Sequence, residues 1–413
     1  MRICHIREFS YPVVIADGVG ALIYKLSDYL SRVEASSSCL VTRRTLGLRR
    51  LDTRGNMAIH RVGLEPSRNL LLLPKVGDYS RRFLFSVYSK DARFLYDRNV
   101  SVQSISAIRK LAEEAADSPI LKDVDVFHCQ GIWTNFEIYI GRFLSRRFRK
   151  PLIFQLQGHF GRDPECMNLD QKNTWYDPIE GNRTLNYSKA IICGNKSTLE
   201  IMKKRTAGRV KLVFIPTCVD TSFFNPQNNQ TEQKKDVLFL GRLTKFKDPI
   251  TPIRAMKLVT EAMPKATLRI VGGGPLTRKI QLTIRELRLE KNVAVLGERT
   301  ETRRFYNQSA IFLATSIVEN FLSNSLLEAM ASGLAVVATD VGETRNLMRN
   351  GENGILVPPK EPRALAEAIL FLLSNQSAFR DISKNAIQTA KQYDINALGP
   401  KYVRLYKEVQ SEA

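Results

Sequence analysis

Two doubly wound α/β domains, each built on a parallel sheet, are what this sequence predicts. Short, continuously apolar strands alternate with amphipathic helices along nearly the whole chain, the pattern of a sheet covered on both faces. A polar, aperiodic stretch, "FNPQNNQTEQKKD" at 224–236, divides that alternation in two. The 413 residues suffice for two cores.

The second half is the more regular. "DVLFLG" reads as a strand, "PITPIRAMKLVTEAM" as a helix, "ATLRIVGGG" as a strand and "TRKIQLTIRELRL" as a helix. "VAVLG", "TETRRFYNQS" and "AIFLATS" continue as strand, short helix and strand, and "LAVVATD", "ETRNLMRN", "GILVPP" and "PRALAEAILFLLSN" follow. The first half alternates too, through "RICHIRE", "GVGALIYKLSDYLSR", "SSCLVTR", "MAIHRVG", "VDVFHCQG", "FEIYIGRFLSRR", "PLIFQLQG", "KAIICGN", "KSTLEIMKKR" and "VKLVFIPT". The domains expected are therefore 1–226 and 234–396, with a cleft between them. Ligands are sought in the loops after each strand, because open parallel sheets bind outside their carboxyl ends.

An apolar fraction of 44% and a charged fraction of 25% are those of a folded globular chain, which excludes disorder. No apolar run reaches the roughly 18 residues of a membrane span, and the opening "MRICHIREFSYPVV" enters a strand without a signal-peptide core, so a cytoplasmic location is expected. Six dispersed cysteines lack metal-ligand spacing and read as reduced packing residues. The net charge of +21 calls for an anionic partner. Nucleic acid ranks below phosphorylated metabolites and an acidic membrane face, because no aromatic-interleaved basic motif or nucleic-acid module appears, and no nucleic-acid partner is expected. The basic clusters are 42–50 and 142–150. On a helix from about Glu137, Ile138, Phe143, Leu144 and Phe148 form one face and Arg142, Arg146, Arg147 and Arg149 the rest. That face suits an anionic membrane surface, or simply solvent.

The loops carry the chemistry. "GRLTKFKD" sets Arg242 and Lys247 just past a strand, a planar fork and a point charge suited to a diphosphate. "VGGGP" offers Gly272, Gly273 and Gly274 for close approach of a phosphate at a helix start, without the spacing of a dinucleotide or P-loop fingerprint. "DGVGALIYKL" makes the same offer from the first domain with Gly18 and Gly20. After "AIFLATS", Glu319 falls in a loop, Ser323 or Asn324 can cap a helix, and Glu328 lies in its first or second turn. Glu328 reads either as a ligand contact or as a carboxylate complementing the helix dipole.

Together these pieces resemble the retaining glycosyltransferases of family 4, the glycosyl transferases group 1, with their GT-B fold. "DGVGALIYKLSDYL", "DVFHCQGIW", "PLIFQLQGH", "KAIICGNKSTLEIM", "IPTCVDTSFFNP", "FLGRLTKFKD", "IVGGGP", "FYNQSAIFLATS" and "ENFLSNSLLEAMASGLAVVATDVGETRNLMRNGENGILVPP" run in family order. The resemblance implies transfer of a sugar, with retention, from a nucleotide diphosphate sugar to a hydroxyl of a saccharide or lipid-linked acceptor in cell-surface polysaccharide or glycolipid synthesis. It implies no metal and no cofactor, Arg242 and Lys247 neutralising the departing diphosphate instead. Glu328 would hold the ribose hydroxyls and backbone near Gly297 and Glu298 the base. Gly273 and the run Asn320, Phe321, Leu322, Ser323 and Asn324 would line the donor, and Gly18 would reach the diphosphate from the other domain. The final helix, 397–413, would cross back to the first domain.

The chain also departs from that pattern. Asp17 replaces the first glycine of the family's pair. The "HxH" position reads His128-Cys129-Gln130, so that His128 and Gln130 are the residues the resemblance places in the catalytic set. Gln157 replaces a histidine, with His159 following, both expected on the acceptor side. Glutamine hydrogen-bonds but performs no acid–base work, so a non-catalytic nucleotide-sugar binder of the same fold is the alternative. Trp133 reads as a stacking platform for a sugar or acceptor, or as core. Residues 60–125 and 158–182 are the expected acceptor loops. The family's Glu–x7–Glu spacing, counted back from Glu328, lands on Asn320. Either Asn320 fills the acidic position, or the loop carries one extra residue and Glu319 reaches the donor sugar. The insertion costs little and Asn offers no negative charge to an oxocarbenium-like centre, so Glu319 is the catalytic residue expected to face the sugar.

Overall fold

The computed structural model describes residues 1–7, 18–34, 37–43, 51–54, 57–62, 109, 111–130, 135–156, 178–226, 236–318 and 322–412. The chain divides into two units, Met1–Ile215 with Gly399–Ala413, and Pro216–Leu398.

The first unit holds an eight-stranded sheet in the order β3-β4-β2-β1-β5-β6-β7-β8. Its strands are β1 (Arg2–Arg7), β2 (Ser37–Arg43), β3 (Leu51–Arg54), β4 (Met57–Val62), β5 (Val126–Gln130), β6 (Leu152–Leu156), β7 (Ala190–Cys193) and β8 (Lys211–Phe214). All neighbours are parallel except β3 and β4, an antiparallel pair at one edge. β3 was absent from the sequence reading, although Gly55-Asn56 after it is a hairpin signal. Within 60–125, expected as loop, residues 111–116 are helical and Ala112, Ala115 and Leu121 are buried.

The second unit holds a six-stranded, wholly parallel sheet in the order β11-β10-β9-β12-β13-β14. Its strands are β9 (Asp236–Leu240), β10 (Thr267–Val271), β11 (Val293–Gly297), β12 (Ile311–Ala314), β13 (Ala335–Thr339) and β14 (Ile355–Val357). Alternation along each strand serves two cores. Val237, Phe239, Ile311 and Leu313 pack with helices Ile250–Ala262 and Pro362–Ser374, while Leu238, Phe312 and Val336 pack with Asn324–Ala331 and Gln376–Lys391. Asn375, which accepts from the Ala378 amide at 3.0 Å, caps the last of these helices.

In both sheets the order reverses beside the first strand, between β1 and β5 and between β9 and β12. Ligands bind open α/β sheets at such a reversal.

The crossing between units precedes the predicted linker. Residues 216–226 belong to the second unit because they are packed and bonded there. Val219 pairs with Asp394, its amide donating to Tyr393 O at 2.9 Å, and Phe224 lies in the core beside Tyr306. Asp394 accepts from Thr221 N at 2.8 Å, from Thr221 Oγ1 at 2.6 Å and from Asn396 N at 2.7 Å. Burial alone would raise its carboxyl, but these donors hold it below the ordinary range. The last helix, Ile395–Ser411, ends in the first unit. A Cβ on Gly399 would meet the Tyr29 ring at 2.3 Å, so glycine permits that approach.

Candidate active site at the carboxyl ends of β9 to β12

Three loops of the second unit are fastened to one another by backbone. Past β9, the Gly241 amide donates to Val271 O at 3.0 Å and the Leu243 amide to Gly273 O at 2.9 Å. Past β10, the Gly272 amide donates to Gly297 O at 2.9 Å and the Leu276 amide to Leu243 O at 3.0 Å. Gly272, at φ +142°, would bring a Cβ within 1.9 Å of Gly241 O, and Gly274, at φ +155°, within 2.6 Å of Leu243 O. These two glycines are therefore required by the neighbouring loop of the same chain, a reason distinct from the phosphate approach expected of them. A Cβ on Gly273 would lie 2.5 Å from Glu298 Oε1. The following helix begins at Thr277, three residues beyond the glycines.

The two loops flanking the reversal are also joined. Ile317 N donates to Phe246 O at 2.8 Å, and Thr315 Oγ1 donates to Lys247 O and Asp248 O at 3.1 and 2.9 Å. Asp248 in turn accepts from Thr251 N and Oγ1 at 3.3 and 2.6 Å, setting the start of the next helix. On this braced loop Arg242 is exposed, with no ion-pair partner among the described residues, and Lys247 is half-buried. Glu319, Asn320 and Phe321 lie outside the described residues, as do Trp133, Gln157 and His159.

Helix Asn324–Ala331 brings the second predicted carboxylate to the same end of the sheet. Leu322 is buried, and Ser323 is the N-cap residue. The Ser323 hydroxyl does not cap the helix, lying instead 3.0 Å from Ser325 Oγ. Asn324 Oδ1 accepts from Thr217 Oγ1 at 2.6 Å. Glu328 is half-buried in the second turn, and its Oε2 accepts from the Tyr306 hydroxyl at 3.0 Å. Burial pushes that hydroxyl's pKa up, and the Glu328 charge adds to the effect, so it is a donor at neutral pH. Sequence reasoning missed Tyr306. The available signal was a tyrosine between a short helix and an apolar strand, where a buried ring needs a partner for its hydroxyl.

The first unit treats its polar strand residues otherwise. His5 on β1 pairs in register with His128 on β5, and Gln130 with Gln155 on β6, so period-two alternation turns all four to one face. All four are fully buried, together with Tyr402 and Tyr406 of the last helix. The Gln130 amide nitrogen lies 3.3 Å from His5 Nδ1 and 3.1 Å from His128 Nδ1. His128 Nδ1 is 2.8 Å from the Tyr406 hydroxyl, and Gln155 Nε2 donates to Tyr402 at 2.8 Å. Burial pushes His5 down to about 3, and burial together with neighbouring His5 lowers His128 well below its ordinary value. The catalytic role expected of His128 and Gln130 thus meets an opposing finding: neither side chain reaches solvent, and both are engaged beneath the last helix. Gly18 opens helix Gly18–Val33 after β1.

Among the described residues no group of three or more His, Cys, Asp or Glu side chains could hold a metal ion. No described helix is long and apolar enough to cross a membrane. Among the described residues Cys4, Cys39, Cys129, Cys193 and Cys218 are buried and form no disulfide.

Residues 220–389, all within the second unit, match the model of the glycosyl transferases group 1 family. Poly(glycerol-phosphate) alpha-glucosyltransferase of Bacillus subtilis is 27% identical over 206 residues, 49% of this chain and 30% of that protein. N,N'-diacetylbacillosaminyl-diphospho-undecaprenol alpha-1,3-N-acetylgalactosaminyltransferase of Campylobacter jejuni is 28% identical over 237 residues, 54% of this chain and 61% of that protein. Both matches thus cover about half of this chain and less than two thirds of the relative. Over the whole length the fold is that of Anabaena HepE, solved with UDP and glucose: TM-score 0.70 at 16% identity, covering 98% of this chain and 99% of the other. The architecture is GT-B, two Rossmann-like units with the last helix returning to the first.

Proposed function

We propose that this protein is a retaining glycosyltransferase that moves a sugar from a nucleotide diphosphate sugar to a hydroxyl of a saccharide or lipid-linked acceptor in the synthesis of a cell-surface polymer or glycolipid. The observation that carries the proposal is the braced end of the second sheet, where Arg242 and Lys247 on one loop and Glu328 on a helix start share the reversal between β9 and β12. Negative charge grows on the diphosphate as the bond from the sugar's anomeric carbon to its oxygen breaks, and fixed cations act where that charge develops. In this reading Arg242 and Lys247 meet it without a metal ion, and Glu328 holds the ribose hydroxyls. The acceptor oxygen bonds to the anomeric carbon on the face the diphosphate leaves, and its proton passes to a diphosphate oxygen. The α linkages named for the Bacillus and Campylobacter relatives support retention, since an α product from an α-linked donor keeps its configuration. Glu319 remains the group proposed to face the sugar.

The acceptor side carries a basic surface. Ile140 and Leu144 of helix Asn135–Phe148 are buried in the core, so its apolar face is not free to insert into lipid. Arg146, Arg147 and Arg149 remain exposed, and so do Lys204, Arg205 and Arg209 around helix Lys196–Thr206, which packs on the same core. This supports a purely electrostatic association with an anionic membrane, reversed by salt.

The test is a thermal-shift screen of UDP-, GDP-, ADP- and dTDP-linked sugars followed by product analysis with the donor that stabilises the fold. A stabilising donor that releases no nucleoside diphosphate with any acceptor favours the non-catalytic binder instead. Full turnover in the Arg242→Ala, Lys247→Ala double variant removes the diphosphate role.

A further inference from the structure

Tyr306 is wholly buried, yet its hydroxyl ends on a carboxylate at the site. The ring belongs to helix Arg303–Asn307 and is held edge-on by Phe224 at 5.7 Å and tilted against Phe312 at 5.9 Å. Phe312 is a β12 residue, so one wall of this clamp is the strand at the sheet reversal. Phe224 comes from the segment that enters the second unit at Pro216, and the same segment supplies Thr217, bonded to Asn324 at the head of the Glu328 helix. Two elements thus fix Glu328 from outside its own helix: a clamped tyrosine on its carboxylate and a threonine at the helix head.

A glutamate side chain left to itself samples several rotamers, and bidentate recognition of adjacent hydroxyls requires one. We propose that Tyr306 is a positioning residue for the donor's ribose: its buried hydroxyl holds Glu328 Oε2 and aims the carboxylate at the ribose 2′- and 3′-hydroxyls. This rests on the reading of Glu328 as the ribose ligand. The ring supplies core packing and the oxygen supplies the aim, so Tyr306→Phe removes the second while keeping the first.

The experiment measures binding of two probes to the full chain: whichever of the ribonucleotides UDP, GDP or ADP the wild type holds most tightly, and the 2′,3′-dideoxy form of that nucleotide. For Tyr306→Phe the Kd for the hydroxyl-bearing nucleotide should rise about tenfold and that for the dideoxy form should stay as in wild type. In turnover, the donor KM should rise by the same factor with kcat changed less than about twofold. Substitution of 4-aminophenylalanine for Tyr306, which keeps the ring and a donor, should restore wild-type preference for the hydroxyls. A Tyr306→Phe variant that discriminates the two probes as wild type does overturns the proposal, as does failure of the amino variant to restore discrimination. Glu328→Gln separates the two readings: if it loses discrimination while Tyr306→Phe keeps it, only the role of Tyr306 falls. If Glu328→Gln itself keeps discrimination, the ribose reading of Glu328 falls with it.

Discussion

At the ends of β9 to β12 the polar side chains of the second unit reach solvent on loops locked together by main-chain bonds, whereas His5, His128, Gln130 and Gln155 of the first unit are sealed under Tyr402 and Tyr406. Both sheets reverse beside their first strand, and both carry polar residues near that reversal. What differs is the cover: the last helix returns to the first unit and closes over its polar face, while Arg242 stays exposed. Polar residues near a sheet reversal are therefore buried in one unit and open to a ligand in the other. Topology alone does not assign function to a polar strand residue; what packs on top of it does.

Four substitutions and one titration probe that contrast. Arg242→Ala and Lys247→Ala should each lower turnover about 10²- to 10³-fold, equivalent to about 3–4 kcal/mol of transition-state stabilisation. For Arg242, which is exposed, the melting temperature should hardly change. Tyr406→Phe should do the reverse. It leaves His128 Nδ1 buried without its 2.8 Å partner and should cost about 1–3 kcal/mol in a urea titration. Its kcat should stay at the wild-type value. A large loss of kcat in fully folded Tyr406→Phe would return His128 to the active site.

The titration concerns His5. An unfolded chain protonates it near its ordinary value of 6.5, and the folded chain only near 3. Below 6.5 the unfolded state therefore binds more protons, and stability falls with pH until the folded value is reached. The slope attributable to this one group is about 1.4 kcal/mol per pH unit, with no slope from it above 6.5. Urea midpoints between about pH 7.5 and about pH 5, compared with those of His5→Leu, measure it. The smallest effect is expected on the surface of the same helix. Lys211 and Glu408 pair at 2.5 Å but are nearly half exposed, so Lys211→Ala should cost less than about 1 kcal/mol and change no kinetic constant.

Much of the fold was legible because periodicity and burial coincide. "VLFL", "IFLA" and "AVVA" are uninterrupted apolar runs, and each lies in an inner strand of the parallel sheet. The Asn324–Ala331 helix and the position of Glu328 in it were equally readable, since serine and asparagine precede an apolar run. The crossing at Ile215–Pro216 was not. "TCVDTSFFNP" has no period that separates it from a linker, and its place is set by the pairing of Val219 with Asp394, far along the chain. Nor did a glycine run reveal whether its closest neighbour is a ligand or another loop.

The sequence by itself determined the α/β class, the two-sheet division, the family motifs and the residue types at each strand end, because these depend on local pattern. Tertiary structure alone decided that His128 and Gln130 are roofed by Tyr406, that Gly272 yields to Gly241, and that Glu328 is gripped by Tyr306. Each of those outcomes joins residues distant in sequence, and burial of a polar group is a property of everything packed around it rather than of its own segment.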